Sequence, residues 1–268
     1  MTAGRFHQAL TAKPQLWGGW ITGPTALGPE EFARAGYDYI GFDTQHGYLD
    51  DADVATLLRR LQQVPIATAV RLPSAAPAPI GRVLDAGADA VIIAMVETAQ
   101  QAAEAVAATR YPPSGVRSFG PLRSDLGHDP TVLQDRVAVF AMVETIRGVR
   151  NIAEICAVPG LSGIYVGPAD LSLSMGHGPG GAGRVTEVDD TIDRIQQAAA
   201  SAGLVTGIHA GDGAAGRAMA ARGFRVITLA SEGQALRRGA AAHLAEATAP
   251  RDDLPETSTT PGSSGRYH

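Results

Sequence analysis

The sequence predicts an α/β protein folded as a closed (β/α)8 TIM barrel, and three observations carry that prediction. Eight short apolar runs rich in β-branched residues recur at residues 16–22, 39–44, 66–72, 90–96, 137–144, 163–167, 204–209 and 224–230. Between them lie alanine-rich segments, such as 54–63, 99–110 and 189–202, whose apolar residues return every three or four positions, as on an amphipathic helix. Glycine closes such segments at Ala35-Gly36, Ala86-Gly87, Ala202-Gly203 and Arg222-Gly223, where a helix C-cap favours it. Strands alternating with helices make parallel βαβ units, and eight of these close into a barrel. A doubly wound open sheet is the alternative, but no G-x-G-x-x-G follows an early strand to support its dinucleotide-binding form.

The runs justify themselves in order. LWGGWIT, YIGFDT, IATAVRL and AVIIAMV, the first four, are nearly continuous in apolar residues, as strands covered on both faces must be. The fifth to eighth, VAVFAMVE, GIYVG, LVTGIH and FRVITLA, follow the same rule. After the sixth comes the glycine run 176–183, GHGPGGAG, which lacks the lysine of a phosphate-binding loop and reads as a mobile loop or a substrate lid. Residues 250–268 are rich in Pro, Asp, Ser, Thr and Gly, which predicts a disordered C-terminal tail and leaves residues 1–249 for the barrel.

Composition narrows the function. The chain of 268 residues is 45% hydrophobic and 18% charged, with a formal charge of -5, and it has no apolar run long enough to span a bilayer. No basic run exceeds Arg59-Arg60 or Arg237-Arg238, so nucleic acid and membrane surfaces are not expected partners. The start of the chain has no secretory pattern, and the single Cys156 cannot close an intrachain disulfide; a cytoplasmic protein is expected. Lys13 is the only lysine and precedes the first strand, which excludes a P-loop, a pyridoxal Schiff base and a class I aldolase. Cys156 has no base beside it and reads as core.

Barrel enzymes carry their chemistry where strands end. Here the ends supply Asp43-Thr44-Gln45-His46, Arg71, Glu97, Glu144, Asp170 and His209. Glu144 and Asp170, on adjacent strand ends without nearby cysteine, make an oxygen-only pair suited to Mg²⁺ or Mn²⁺, with water and substrate oxygens completing the shell. A 2-keto acid can chelate such an ion, which then stabilises an enolate. Arg71 is expected to project into the mouth and hold the enolate oxygen or the substrate carboxylate, and an ion pair with Asp43 or Asp85 is compatible with that role. His46 is the expected general base, its ring oriented by Asp43. Glu97 is a weaker candidate, as an acceptor behind the site; His209 lines the mouth or packs in it; Arg123 either meets a charged substrate tail or is solvated.

These residues resemble a known family. Asp43-x-Gln45-His46, Met95-Val96-Glu97-Thr98, Tyr111-Pro112-Pro113-x-Gly115-x-Arg117, Val143-Glu144-Thr145 and above all Gly167-Pro168-Ala169-Asp170-Leu171-Ser172 look like the HpcH/HpaI family of metal-dependent 2-keto-acid aldolases, over roughly residues 5–245. The resemblance implies metal ligands at Glu144 and Asp170, an enolate-stabilising Arg71 and a base dyad of His46 with Asp43. It places the amides that hold the pyruvate carboxylate at Ala169 and Asp170, beside Gly167, and an inter-subunit aspartate at Asp85. It further implies a homohexamer of two trimers with exchange of the last helix, and Co²⁺ as a further compatible cation. Gln45 and Met142 depart from better-known members close to the ligands, and there they bear on aldehyde choice.

The expected activity is cleavage or formation of 4-hydroxy-2-keto acids through the enolate of pyruvate or hydroxypyruvate adding to an aldehyde, with oxaloacetate decarboxylation as a side activity. Two rivals stand beside it. An acyl-CoA lyase of the citrate lyase β-subunit type would need basic residues for the CoA phosphates, and the lone lysine fits it poorly. A non-catalytic keto-acid-binding barrel would have little use for Glu144, Asp170, Arg71 and His46 together.

Overall fold

The computed structural model describes residues 4–249; the tail expected at 250–268 lies outside them. Helix α1 (Arg5–Ala12) precedes β1 (Leu16–Ile21), α2 (Gly28–Arg34), β2 (Tyr39–Asp43), α3 (Asp51–Arg60), β3 (Ala67–Leu72), α4 (Pro77–Asp85), β4 (Ala90–Ile93) and α5 (Ala99–Thr109). Helix α6 (Pro130–Asp135) leads to β5 (Ala138–Val143), α7 (Ile146–Arg150), α8 (Ile152–Cys156), β6 (Gly163–Val166), α9 (Pro168–Ser174) and α10 (Thr186–Ser201). β7 (Val205–His209), α11 (Gly213–Ala221), β8 (Val226–Ser231) and α12 (Glu232–Thr248) complete the order. The eight strands are all parallel and close in sequence order, β8 pairing back to β1, so the barrel expectation holds and the open-sheet alternative falls. The chain divides at Glu232, and a second compact unit beginning at Gly233 carries the rest of α12.

Strand alternation sorts the buried residues into two cores. Ile40, Phe42, Val70, Leu72, Val139, Val143, Ile164 and Val166 face outward into the layer shared with the helices. Tyr39, Ala67, Ala69, Phe140, Met142 and Tyr165 face inward and fill the barrel. Large and small residues interdigitate there: a Cβ at Gly18 would strike the Tyr39 ring, and one at Gly41 the Trp20 ring. Phe6 of α1 plugs the N-terminal end, its ring meeting those of Tyr39 and Phe140 edge-on at 5.5 and 5.7 Å. The filled interior makes the barrel a packed core rather than a pore.

Continuing the inward series by one position reaches Asp43, Arg71, Glu144, Gly167 and His209, which share one layer at that mouth. Helix starts immediately beyond are capped by side chains, as at Asp50 with Asp53, Thr98 with Gln101, Thr145 and Asp212, which pins the loops carrying the rim residues. The capping box also explains why α3 begins before residue 54. β4 ends earlier than its apolar run because Met95 turns to φ +55°, the one non-glycine positive φ among the described residues.

Candidate active site

Asp43 and Arg71 are register partners on β2 and β3, so their side chains lie side by side at the mouth. The guanidinium grips the carboxylate with two bonds, Nε to Oδ1 at 3.0 Å and Nη2 to Oδ2. Trp20 adds a third donor, Nε1 to Asp43 Oδ2 at 3.1 Å, and the Arg71 guanidinium stands 5.5 Å from its ring centre. Burial opposes ionisation of Asp43, but Arg71 outweighs it, with help from the His46 amide and Trp20, and holds the carboxyl below its ordinary value. The result is a fixed, ionised pair whose cation faces the mouth.

Glu144 is arranged differently. It is 1% exposed, and its Oε1 accepts the Met95 amide at 2.8 Å, whereas its Oε2 is buried with no hydrogen-bond partner. Burial pushes its pKa up to about 7; the Met95 amide opposes that, and the nearby charge of Asp170 adds to it. A buried carboxylate oxygen without a donor is costly unless something positive fills the place. A Cβ at Gly167 would collide with that same oxygen, so only glycine leaves the space open. Among the described residues no three His, Cys, Asp or Glu side chains gather, and Glu144 with the nearby Asp170 is the carboxylate pair that could hold an ion here. The donor set fits a hard divalent cation that takes its remaining ligands from water and substrate.

The other expected residues fall as follows. His46 is exposed at the rim, and Asp43 Oδ1 accepts the backbone amides of Gln45 and His46 at 3.0 and 3.1 Å. The contacts Asp43 makes here are to the loop backbone, to Arg71 and to Trp20. Gln45 turns its Oε1 into a buried position without a partner. Ala169 and Asp170 occupy the first turn of α9, where a helix leaves amides without internal partners. Glu97 accepts from Thr145 Oγ1 at 2.8 Å and Arg147 Nη1 at 3.2 Å, tying together the two strand-end loops that carry Met95 and Glu144.

Asp85 is not in this layer. It ends α4, where burial raises its pKa against the opposing charge of Arg117, whose Nη2 donates to its Oδ1 at 2.8 Å. Of the two carboxylates weighed as partners for Arg71, the structure selects Asp43. Arg123 pairs with Asp125 and lies against Gly87, ahead of β4, at the end of the barrel opposite the mouth; it does not meet a substrate tail in its own barrel. Cys156 is buried core, its thiol pushed up to about 11 by burial. In the glycine run, Ser172 Oγ donates to the Gly178 carbonyl at 2.5 Å and the Gly183 amide to Asp189, which anchors both ends of the segment.

Sequence reasoning missed Trp20 and Met95. The inward period of two along β1, Leu16-Gly18-Trp20, was the available signal for the first. Nothing in the sequence marked the left-handed turn at Met95.

An eight-stranded parallel barrel that gathers an ion pair and a donor-starved carboxylate in one inward layer at its C-terminal mouth has the frame of a barrel enzyme. The profile of the HpcH/HpaI aldolase/citrate lyase family matches residues 17–239, and the chain belongs to that family. It is 36% identical over 234 residues to a hydroxypyruvate/pyruvate aldolase of Rhizorhabdus wittichii, covering 86% of this chain and 93% of that one. A 4-hydroxy-2-oxo-heptane-1,7-dioate aldolase of Klebsiella pneumoniae is 34% identical over 209 residues, 75% of this chain and 78% of the relative. The crystal structure of an HpcH/HpaI family protein from Burkholderia cenocepacia superposes with a TM-score of 0.82 at 34% identity, covering 92% of this chain and all of that one. The protein is accordingly a lyase of the aldolase class. No helix of the described residues is long and apolar enough to cross a membrane.

Proposed function

We propose that the protein is a divalent-cation-dependent class II aldolase that forms and cleaves 4-hydroxy-2-keto acids from pyruvate or hydroxypyruvate and an aldehyde. The observation that carries this reading is the buried, donor-less Oε2 of Glu144, with Asp170 beside it and Arg71 in the same layer. Glu144 and Asp170 would hold Mg²⁺ or Mn²⁺, with Co²⁺ compatible, and the ion supplies Lewis-acid stabilisation of the enolate oxygen.

The chain's own groups do the rest. Arg71, kept in place by Asp43 and Trp20, presents a permanent cation to the keto oxygen and meets the charge that develops there. The first-turn amides at Ala169 and Asp170 hold the keto-acid carboxylate, an anion at a helix start. His46, exposed at the rim, removes the C3 proton directly or through water and returns it in the reverse direction. Gln45 borders the same loop and bears on which aldehyde is accepted. Oxaloacetate would lose CO₂ by reaching the same enolate. Asp85, far from the mouth of its own barrel, serves the mouth of a neighbouring subunit in a hexamer built from two trimers, with the last helix exchanged.

The test is aldol cleavage of a 4-hydroxy-2-keto acid before and after chelation, with Glu144→Ala alongside. Cleavage is expected to stop on chelation, to return with Mg²⁺ or Mn²⁺, and to be absent from a folded Glu144→Ala. Cleavage that survives both treatments rejects the cation role.

A further inference from the structure

His209 ends β7 and takes no part in the reaction above. Its orientation follows from the strand: a Cβ at Gly207 would strike the Tyr165 ring and Val205 packs on the interior core, while Ile208 belongs to the outer one. Positions 205, 207 and 209 therefore face inward, and His209 lies in the layer of Asp43, Arg71 and Glu144. Its ring meets Trp20 edge-on, centres 5.8 Å apart at 86°, and the same indole carries Arg71. Trp20 is thus a shared wall that fixes both side chains.

The chemistry of the imidazole is defined by that setting. Burial, reinforced by the positive charge of Arg71 against the opposing charge of Asp43, lowers its pKa to about 4, so the ring is neutral near pH 7. A neutral imidazole offers one donor and one acceptor. Among the described residues neither ring nitrogen has a hydrogen-bond partner, and neither is sealed from solvent. A donor and an acceptor, both unused, face the space where the keto acid is held.

Of the groups a 2-keto acid brings, the carboxylate and keto oxygens only accept hydrogen bonds, and Arg71, the amides of α9 and the cation already match them. A hydroxyl both donates and accepts. Depth decides which hydroxyl is met: Trp20, Met142 and Tyr165 fill the barrel below this layer, so the keto acid rests in it and the aldehyde comes in above, from solvent. We propose that His209 is a specificity residue that recognises the C3 hydroxyl of the donor keto acid, favouring hydroxypyruvate over pyruvate. The proposal rests on the aldolase reading given under Proposed function and adds the donor class.

The test compares kcat/KM for hydroxypyruvate and for pyruvate, with one non-hydroxylated aldehyde, in the wild-type holoenzyme, His209→Phe and His209→Asn. In His209→Phe the hydroxypyruvate-to-pyruvate ratio is expected to fall about tenfold, chiefly through KM for hydroxypyruvate, as loss of one matched hydrogen bond in a desolvated site predicts. His209→Asn, which keeps a donor and an acceptor, is expected to recover part of the ratio. A ratio unchanged in His209→Phe overturns the proposal, as does an equal loss of kcat/KM for hydroxypyruvate and for pyruvate. Deuterium exchange into pyruvate by the wild-type enzyme is run in parallel: without it the aldolase reading itself fails, and with it an unchanged ratio counts against His209 alone.

Discussion

The two ends of the barrel both bury charge, and they do so in opposite ways. At the N-terminal end Asp89 accepts from the Thr68 amide and hydroxyl, each at 3.0 Å, and from Arg136 at 2.6 Å, while Arg136 also donates to the carbonyls of Ala88 and Gly87. Neither member of that pair has a buried polar atom left without a partner, and Phe6 packs on the interior core at that end. At the C-terminal mouth Asp43 is equally well held, but Glu144 and Gln45 each have a buried oxygen without a donor. A closed polar network specifies a structure; an open one awaits a ligand. The contrast is between these two clusters and does not extend to every group at each end: away from the mouth, Arg117 on Asp85 also keeps Nε and Nη1 buried without partners.

The largest expected effect tests the open end. Glu144→Gln is expected to lower kcat for aldol cleavage by at least about 10³-fold, several kcal/mol of lost cation and enolate stabilisation, with no loss of thermal stability. A next, smaller effect is expected at the closed end. Asp89→Ala leaves Arg136 buried without its carboxylate and is expected to cost about 3–5 kcal/mol in urea unfolding, with the kcat of the folded fraction unaffected. Finding the reverse pattern, a catalytic loss at Asp89 or a large stability loss at Glu144, would dissolve the distinction.

Stability against pH sharpens it further. Glu144 keeps its proton up to about pH 7 in the fold against an ordinary 4.5, so it makes the fold less stable as pH rises through that window. His209 stays neutral down to about pH 4 against an ordinary 6.5, so it makes the fold more stable as pH rises from 4 to 6.5. Each is worth roughly 3–4 kcal/mol, and between pH 4.5 and 6.5 they oppose one another. Chelated wild-type protein is expected to show only a shallow change there. Glu144→Gln should expose the rising limb and His209→Phe the falling one, both measured by urea midpoints. Identical slopes in all three proteins would contradict the assigned environments.

The smallest expected effect concerns Met95. Relieving its left-handed backbone with Met95→Gly is expected to change stability by no more than about 1 kcal/mol, in the stabilising direction, whereas a β-branched Met95→Ile is expected to destabilise.

Much of this is legible in the sequence, for a physical reason. A parallel barrel buries its strands on both faces, so each strand announces itself as an apolar run, and strand ends bring polar residues to one rim; Asp43, Arg71, Glu144 and Asp170 were found that way. What could not be read was pairing across strands. That Arg71 would take Asp43 rather than Asp85 as its partner depended on the β2–β3 register, which sets the two side by side. The backbone turn at Met95 that aims an amide at Glu144 has no signature in residue type. For Arg123 the sequence leaves open a substrate contact or a solvated loop, and the 3₁₀ turn Ser124–Leu126 and the contact with Gly87 put it at the end opposite the mouth, paired with Asp125.

The central claim is that Glu144 and its neighbours make the C3 protons of pyruvate exchangeable with the help of a divalent cation. It is tested most directly by incubating pyruvate with the enzyme in D₂O and following the methyl group by mass spectrometry. The expected result is stepwise gain of up to three deuterons in the presence of Mg²⁺ or Mn²⁺, abolished by chelation and by Glu144→Gln. Exchange that persists without the cation, or in Glu144→Gln, or fails with every divalent cation offered, would contradict it.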